Sequence, residues 1–171
     1  MKKALIATFL FTGSLIPSTE TANSLNSKFL KACFAGSKDE ISICLAEGAN
    51  INHVFQDRTD QYSGATPLLL VCMTEEPEAV SFLLEKGALI NKASDNGLTP
   101  LIAACIQKNS ALVKQLLKAS ADPNYSTNPK LTPLKVACRD DLHSMAKILI
   151  EAGAHVNDIC VKTAHQEETK K

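Results

Sequence analysis

The chain of 171 residues lacks tryptophan and has only two tyrosines and two arginines, Arg58 and Arg139. Its 18 basic residues are balanced by 18 acidic residues, so the formal net charge is zero. Nucleic-acid-binding proteins rely on basic patches and on aromatic or arginine side chains that stack on bases. A neutral chain also has no net field that attracts an anionic membrane. The composition therefore argues against a nucleic-acid partner and against binding to a membrane surface.

Catalytic and metal-binding motifs are also missing from the sequence. Neither Cys-x-x-Cys nor His-Glu-x-x-His spacing occurs, and the four histidines are scattered along the chain. No Gly-x-Ser-x-Gly nucleophile motif and no glycine-rich phosphate loop is present. We therefore predict a protein without enzymatic activity, cofactor or metal.

The N-terminal segment 1–24 has the order that is typical of a secretory signal. Lys2 and Lys3 precede a largely apolar run, Ala4–Ile16, which a short polar stretch follows. A helix of this length reaches about 20 Å, short of the ~30 Å hydrocarbon core, which disfavours a permanent span. The small residues in Ala22–Ser24 suit cleavage after Ser24. We predict export to the periplasm or beyond; the alternatives are an uncleaved membrane anchor and a cytoplasmic chain whose start is misassigned.

A self-similar pattern with a 33-residue period covers most of the remaining chain. Three Thr-Pro-Leu triplets mark it, and an asparagine follows each threonine at the same spacing. An earlier copy that begins at Ser27 keeps the register, because Asn52 follows Ser27 at that spacing too. The later landmarks are the triplets from Thr66, Thr99 and Thr132, the asparagines Asn91, Asn124 and Asn157, and the aliphatic pairs Leu83–Leu84, Leu116–Leu117 and Leu149–Ile150.

Each landmark has a mechanical role in a pair of short helices. Threonine caps a helix with its hydroxyl, and proline suits the first helical position, where its missing N–H is not needed. Leu68, Val71 and Cys72 then share one helical face. A second helix follows over about residues 78–86, and Gly87 ends it in the left-handed conformation. One such pair cannot bury its own apolar face, so neighbouring units must stack.

These motifs resemble the ankyrin repeat, which has the same period and the Thr-Pro-Leu triplet. The resemblance covers about residues 27–157 and implies an elongated all-α solenoid of about four helix-turn-helix units with short hairpin fingers. The expected organisation is a signal peptide over 1–24, an ankyrin-repeat domain over 25–157 and a flexible C-terminal tail over 158–171. The units are expected at about 27–57, 58–93, 94–126 and 127–157.

The chain departs from the family pattern at several positions. The histidine that follows the triplet in the family is Leu69, Ile102 or Lys135 here, which removes a buried polar link between turns. The glycine between the two helices survives only as Gly36, and Ser120 replaces the helix-ending glycine of the third unit. The other interhelix positions carry Glu75, Lys108 and Asp141.

Six cysteines behind an export signal would suggest disulfides, but the repeat register argues otherwise. Four of them lie six residues after the threonine position of their units, where the family typically has alanine. Equivalent positions in stacked units are about 8–10 Å apart, whereas a disulfide needs Cα atoms within about 7 Å. We therefore expect small buried hydrophobes at Cys33, Cys72, Cys105, Cys138 and, in a leucine position, Cys44; Cys160 alone lies outside the repeats.

The resemblance implies that a partner docks on the finger tips and on the exposed positions seven and eight residues after each threonine. The seventh position carries Phe34, Met73, Ile106 and Arg139, and the eighth includes Gln107. Three large apolar side chains in successive units predict an exposed stripe, and contiguous apolar surface marks interaction sites. The alternative is that this stripe packs on the C-terminal tail or on a long finger.

An insertion lengthens the first finger. Thr66 follows Asn52 by fourteen positions, whereas the corresponding threonines of the next two fingers follow their asparagines by eight. The longer finger contains Phe55, Arg58 and Tyr62, and tyrosine and arginine are favoured interface anchors. The alternative is a tolerated loop without function, because extra loop length costs little.

These features together predict a non-catalytic protein–protein interaction module that is monomeric on its own. The resemblance leaves two alternatives open. The family includes periplasmic members thought to support peroxide-detoxifying enzymes, which implies a stabilising or chaperone-like factor for an exported oxidant-defence enzyme. A secreted effector that is directed at a host is the other.

Overall fold

The computed structural model describes residues 19–55, 63–74 and 76–156, with side chains from residue 24 onward. Eight α-helices and no strand occur in these ranges, and they form four consecutive pairs, units 1 to 4. This confirms the predicted all-α solenoid of helix-turn-helix units. The helices are α1 (Thr19–Phe34), α2 (Lys38–Ala46), α3 (Pro67–Thr74), α4 (Pro77–Glu85), α5 (Pro100–Ile106), α6 (Ser110–Lys118), α7 (Pro133–Arg139) and α8 (His143–Glu151).

The Thr-Pro-Leu triplets begin the first helices of units 2 to 4. The Thr99 hydroxyl accepts a hydrogen bond from the backbone N–H of Ile102 at 3.1 Å. Thr132 caps α7 in the same way through the N–H of Lys135 at 3.3 Å. A proline occupies the first helical position after each of these caps. The cap satisfies one of the N–H groups that a helix cannot pair by itself, so the triplets determine where these helices start.

Among the described residues, three other than glycine adopt the left-handed conformation at positions where the repeat pattern has glycine. The φ angles are 56° for Lys108, 70° for Ser120 and 53° for Asp141, and that of Gly36 is 66°. A side chain in this region costs roughly 1–2 kcal/mol. The repeat geometry is therefore kept at these positions although the best-suited residue has been replaced.

The four units stack into two rows of helices. The first helices pack in the succession α1, α3, α5, α7 to form the inner row, and the second helices form the outer row. Leu83, Leu116 and Leu149 hold the same position of the second helix and are fully buried. Gln115 on α6 also joins the outer helices, because its Nε2 donates to the Ser81 hydroxyl of α4 at 2.7 Å. One continuous core thus runs through all four units.

Asparagine side chains join successive units at the base of the fingers. The Oδ1 of Asn52 accepts a hydrogen bond from the backbone N–H of Leu89 in the next unit at 2.9 Å. Asn26 of α1 accepts a similar bond from the N–H of Asn50 at 3.1 Å, but this bond lies within unit 1, and Asn26 lies outside the register of the others. The bonds all connect a side-chain amide to a backbone group. This Asn ladder consists of Asn26, Asn52, Asn91 and Asn124.

The cysteines follow the expectation at four positions and depart from it at a fifth. Cys33, Cys44, Cys72 and Cys105 are buried free thiols, as predicted. Burial raises the pKa of Cys33 and of Cys105 to about 12. Cys138 is disulfide-bonded, so the expectation of a free thiol at this position is wrong. The repeat spacing excluded partners within the stack, and that argument does not reach a partner outside the repeats.

The described chain begins inside the predicted signal region. Helix α1 starts at Thr19, so the predicted cleavage after Ser24 falls within this helix. Ser24 is exposed, whereas Leu25 packs against the core and Asn26 starts the Asn ladder. Among the described residues no helix is long and apolar enough to span a membrane. Residues 1–18, which hold the apolar run, and the predicted tail lie outside the described residues.

Candidate protein-binding surface

The predicted stripe residues lie at the C-terminal ends of the first helices. Phe34, Ile106 and Arg139 are the last residues of α1, α5 and α7, and Met73 is the last but one of α3. We call these four residues the inner stripe. Phe34 is 42% exposed and Ile106 is 39% exposed, whereas Met73 is partly buried. The inner stripe is therefore apolar and accessible at two units, and less open at Met73 than the sequence predicts.

Gln107 links two of the inner helices. Its side-chain Nε2 donates to the main-chain carbonyl of Met73 at 3.4 Å. Met73 packs against the core beside it. We predicted Gln107 as a residue that contacts a partner, and its placement next to the stripe allows this. The bond to α3 could not be inferred from the repeat, because it joins two different positions of adjacent units.

Phe55 of the first finger contacts the first residue of the inner stripe. The rings of Phe34 and Phe55 meet edge to face, with centroids 6.5 Å apart and an interplanar angle of 84°. This arrangement is favoured by the charge distribution of aromatic rings. The predicted alternative, in which the stripe packs on the long finger, is thus realised at Phe34. The finger and the stripe form one surface at this end of the stack.

A groove with a volume of about 630 Å³ lies beside this aromatic pair. Its lining is mixed, with apolar side chains beside the polar groups of Ser27, Lys31 and His53. Burial lowers the pKa of His53 from its ordinary value, which favours the neutral imidazole. The groove is lined by Ser27, Leu30, Lys31, Phe34, His53, Val54 and Phe55.

The long finger leaves the stack through a closed base. The N–H of Phe55 donates to the carbonyl of Ala65 at 2.8 Å, and the N–H of Gly64 donates back to the carbonyl of Phe55 at 2.7 Å. This reciprocal pair holds the two ends of the finger together. The predicted anchors Arg58 and Tyr62 lie between them, outside the described residues.

A contact between the first two fingers was not foreseen from the sequence. The Ser63 hydroxyl donates to the Asp95 carboxylate at 2.7 Å, and the Asp95 N–H donates to the Ser63 carbonyl at 3.1 Å. Gly64 allows this approach, because a Cβ at that position would collide with the backbone nitrogen of Asp95. Gly64, two residues before the first triplet, is the sequence feature that could have indicated this contact.

The charged end of the inner stripe is internally paired. The Nε of Arg139 donates to the carboxylate of Asp140 at 2.7 Å, and this hydrogen bond lowers the pKa of the Asp140 carboxyl group. Both side chains are accessible, so water and salt weaken their attraction. In the part of the chain described, no group of three or more His, Cys, Asp or Glu residues is placed to hold a metal ion.

Comparison with known families identifies the repeat. A family model of ankyrin repeats in three copies matches residues 29–127 and, in a second match, residues 89–160. The chain belongs to the ankyrin-repeat family. Ankyrin repeats are generally protein–protein interaction modules, and the family is typically non-catalytic. No curated protein matches the chain significantly.

In two of its units, this ankyrin-repeat protein has an apolar residue at the position after the triplet. Leu69 and Ile102 are almost completely buried in units 2 and 3. In unit 4 the residue is Lys135, whose amino group donates to the carbonyl of Pro129. Apolar packing therefore replaces the polar link in the two central ankyrin units.

Proposed function

We propose that this ankyrin-repeat protein binds one partner protein through the inner stripe and the first finger, and that it is not an enzyme. The main support is the pair of exposed apolar residues, Phe34 and Ile106, which hold the same register position two units apart. Phe55 extends this apolar surface onto the finger. Exposed apolar surface with a polar surround is typical of interaction sites.

The dimensions of the surface favour a protein partner over a small molecule. The inner stripe runs across four units, and stacked helices are about 10 Å apart, so it extends over roughly 30 Å. A patch of this length suits an interface that buries about 800 Å² on each partner. The groove beside Phe34 and Phe55 is large enough to accept a bulky apolar side chain of that partner. Such central anchors carry most of the binding energy in interfaces.

We also propose that the mature protein begins at Leu25 and acts, as a monomer, outside the cytoplasm. The signal-like order of residues 1–24 supports export. Among the residues whose side chains are described, from residue 24 onward, core and ladder contacts begin at Leu25 and Asn26, just after the expected cleavage. The disulfide at Cys138 agrees with an oxidising compartment. The intact mass of protein purified from its source decides the matter, and a mass that includes residues 1–24 would overturn cleavage.

Capture of a partner by single-site variants tests the binding surface. Ile106→Glu places a charge at the exposed end of α5 and should reduce capture at least about tenfold, because burying an unpaired charge is unfavourable. Ile43→Glu is the matched control, because Ile43 is 52% exposed on α2 of the outer row. Met73→Glu is less suitable because Met73 is partly buried. Immobilised wild type and both variants are exposed to the same native extract, and bound proteins are quantified by mass spectrometry.

The pattern of loss distinguishes the two parts of the proposed surface. A partner that is lost with Ile106→Glu and retained with Ile43→Glu supports the inner stripe. If Ile106→Glu retains the partner and Arg58→Ala with Tyr62→Ala loses it, the first finger alone is the interface. Equal capture by every variant, with unchanged helical circular dichroism, would overturn the proposed surface.

A further inference from the structure

The groove of unit 1 lies between two separate elements, and all seven of its lining residues are within the described ranges. Four of them lie on one face of α1, because they follow one another at positions i, i+3, i+4 and i+7. The other three begin the first finger, which backbone bonds hold in place. The N–H of His53 donates to the carbonyl of Asn50 at 2.9 Å, and Phe55 is bonded through both of its backbone groups. A groove with fixed walls binds at a lower cost in conformational entropy.

The apolar part of the lining consists of Leu30, Val54 and the aromatic pair of Phe34 and Phe55. Leu30 is almost completely buried, and Val54 and Phe55 are partly buried. An apolar side chain that enters the groove leaves water and contacts these groups, which is favourable. The groove therefore suits a bulky apolar residue of a partner.

Lys31 is the charged residue of this lining, and its charge is not balanced nearby. It is exposed, and in the described part of the chain it takes part in no ion pair. Lys28, one turn earlier on α1, is by contrast paired with Glu47 at 3.5 Å. His53 adds no charge at neutral pH, because burial lowers its pKa. Among the described residues, the groove lining thus carries one positive charge and no negative charge.

The ammonium group of Lys31 is also not needed at its own helix end. A lysine in the last turn of a helix can bond the terminal carbonyl groups. Here the backbone already satisfies them: the carbonyl of Lys31 accepts from the N–H of Ala35 at 3.0 Å, and that of Ala32 accepts from the N–H of Ser37 at 3.1 Å. The charge of Lys31 is therefore available to an anionic group of a ligand.

The length of the groove restricts what can occupy it. Ser27 and Phe34 are seven positions apart on α1, which corresponds to about 10 Å along the helix axis. About three residues of an extended chain cover this distance. Lys31 is about 4.5 Å from Phe34 along the axis, so one or two residues of an extended chain reach from the aromatic pair to the lysine.

We propose that the groove receives an extended segment of the partner protein in which an aspartate or glutamate stands within two residues of a bulky apolar residue. The apolar side chain packs against Phe34, Val54 and Phe55, and the carboxylate pairs with the ammonium group of Lys31. The proposal rests on the proposed binding function and deepens it, because it names the kind of segment that binds at the unit 1 end of the surface. A charge pair beside an apolar anchor selects the segment and fixes its direction.

Synthetic peptides test this chemistry with the full-length protein. The probes are fluorescent peptides of about seven residues, blocked at both ends, with a central phenylalanine and an aspartate at the second position from it. Matched probes carry asparagine or lysine in place of the aspartate. By fluorescence anisotropy, the aspartate peptide should bind about threefold more tightly than the asparagine peptide, and the lysine peptide should bind most weakly. The difference should disappear in about 1 M salt, where charges are screened within about 3 Å.

Variants of the groove assign the preference to one side chain. Lys31→Ala should remove the preference for aspartate over asparagine, and Lys31→Glu should make the lysine peptide the tightest. Lys28→Ala is the matched control, because it removes the same charge from the same helix but from a residue that Glu47 already neutralises; it should keep the preference. Phe34→Ala should weaken all three peptides alike. Equal binding of the aspartate and asparagine peptides, or a preference that survives in Lys31→Ala, would overturn the proposal. A preference that requires a free terminal carboxylate would overturn it in favour of a chain end.

The same variants separate this proposal from the proposed function. If the peptides show no acidic preference but Ile106→Glu still loses the captured partner, the binding surface stands and the acidic segment is overturned. If the preference depends on Lys31 but Ile106→Glu captures the partner as wild type does, the acidic segment stands and the inner stripe is overturned. Helical circular dichroism of each variant, which should match wild type, checks that the fold is kept.

Discussion

Units 3 and 4 follow the same 33-residue pattern but differ in how much of it is shielded from water. The capping Thr99 of unit 3 is buried, whereas Thr132 of unit 4 is partly exposed. At the same register position unit 3 has the free thiol of Cys105 and unit 4 has a disulfide at Cys138. The sequence of a unit determines its helices, but the neighbours on either side determine its burial. An ankyrin unit therefore depends on its neighbours to bury its apolar surface.

The largest difference in the free energy of unfolding should come from truncating a buried leucine of unit 3 and an exposed isoleucine of unit 4. Leu116→Ala deletes a fully buried side chain of α6 and should lower the free energy of unfolding by roughly 2–5 kcal/mol. Ile150→Ala, at the 44% exposed edge of unit 4, should lower it by less than about 1 kcal/mol. Urea unfolding of both variants measures the difference. Equal losses would show that the side chain of Ile150 is as well shielded from water as that of Leu116.

Alkaline pH should separate the two units through their cysteines. The pKa of the Cys105 thiol is about 12 in the fold, against an ordinary value of 9.0. Below pH 9 both states hold the proton; between pH 9 and 12 the unfolded chain releases it first, so stability falls by up to about 1.4 kcal/mol per pH unit. Cys105→Ala should remove this contribution, while Cys138→Ala should not, because a disulfide sulfur has no proton. Unfolding curves at pH 8, 9 and 10 test this, and identical slopes for Cys105→Ala and wild type would contradict it.

The helix caps should show a smaller difference of the same kind. Thr99→Ala removes a buried cap at 3.1 Å from its N–H donor and should lower the free energy of unfolding by about 1 kcal/mol. Thr132→Ala removes a longer and partly exposed cap and should have less effect, because water can replace the hydroxyl. Differential scanning calorimetry compares the two. A larger loss at Thr132 would mean that unit 4 depends on its cap more than on its neighbour.

The smallest expected effect concerns the left-handed residues that end the outer helices. Ser120 in unit 3 has a φ of 70°, and Gly153 takes the same position in unit 4 with a φ of 91°. Ser120→Gly should raise the free energy of unfolding by roughly 0.5–1 kcal/mol, and Gly153→Ser should lower it by a similar amount. An added Cβ at Gly153 meets nothing within 4 Å, so backbone conformation alone is tested. Thermal unfolding that shifts both variants in the same direction would contradict this interpretation.

Features that recur with the period could be predicted from the sequence. The triplets indicated the helix starts at Thr99 and Thr132, and the leucine position of Leu83 indicated the buried side of the second helices. Even the replaced glycines, such as Lys108, kept the left-handed backbone that the register requires. Repetition makes such inferences reliable, because each unit repeats the same local geometry.

Features that occur once in the chain could not be predicted from the period. Asn26 joins the Asn ladder from a position with no counterpart in later units, and Ser63 bonds Asp95 across two fingers of unequal length. The Cys138 disulfide could not be predicted for the same reason, because the other four cysteines of the repeats are free thiols. In the candidate site, the exposed Phe34 and Ile106 were foreseen, but the partial burial of Met73 depends on packing against neighbours.

The Asn ladder has a consequence for how proteins of this kind change in length. Its three later bonds are donated by the backbone N–H groups of Leu89, Asp122 and His155, three residues with unrelated side chains. The bond between units therefore does not depend on which side chain the donor residue carries. A unit can be duplicated, deleted or exchanged by recombination within a finger, and the new junction is already compatible. For the same reason, exposed side chains can change during evolution to suit new partners while the packing between units is kept.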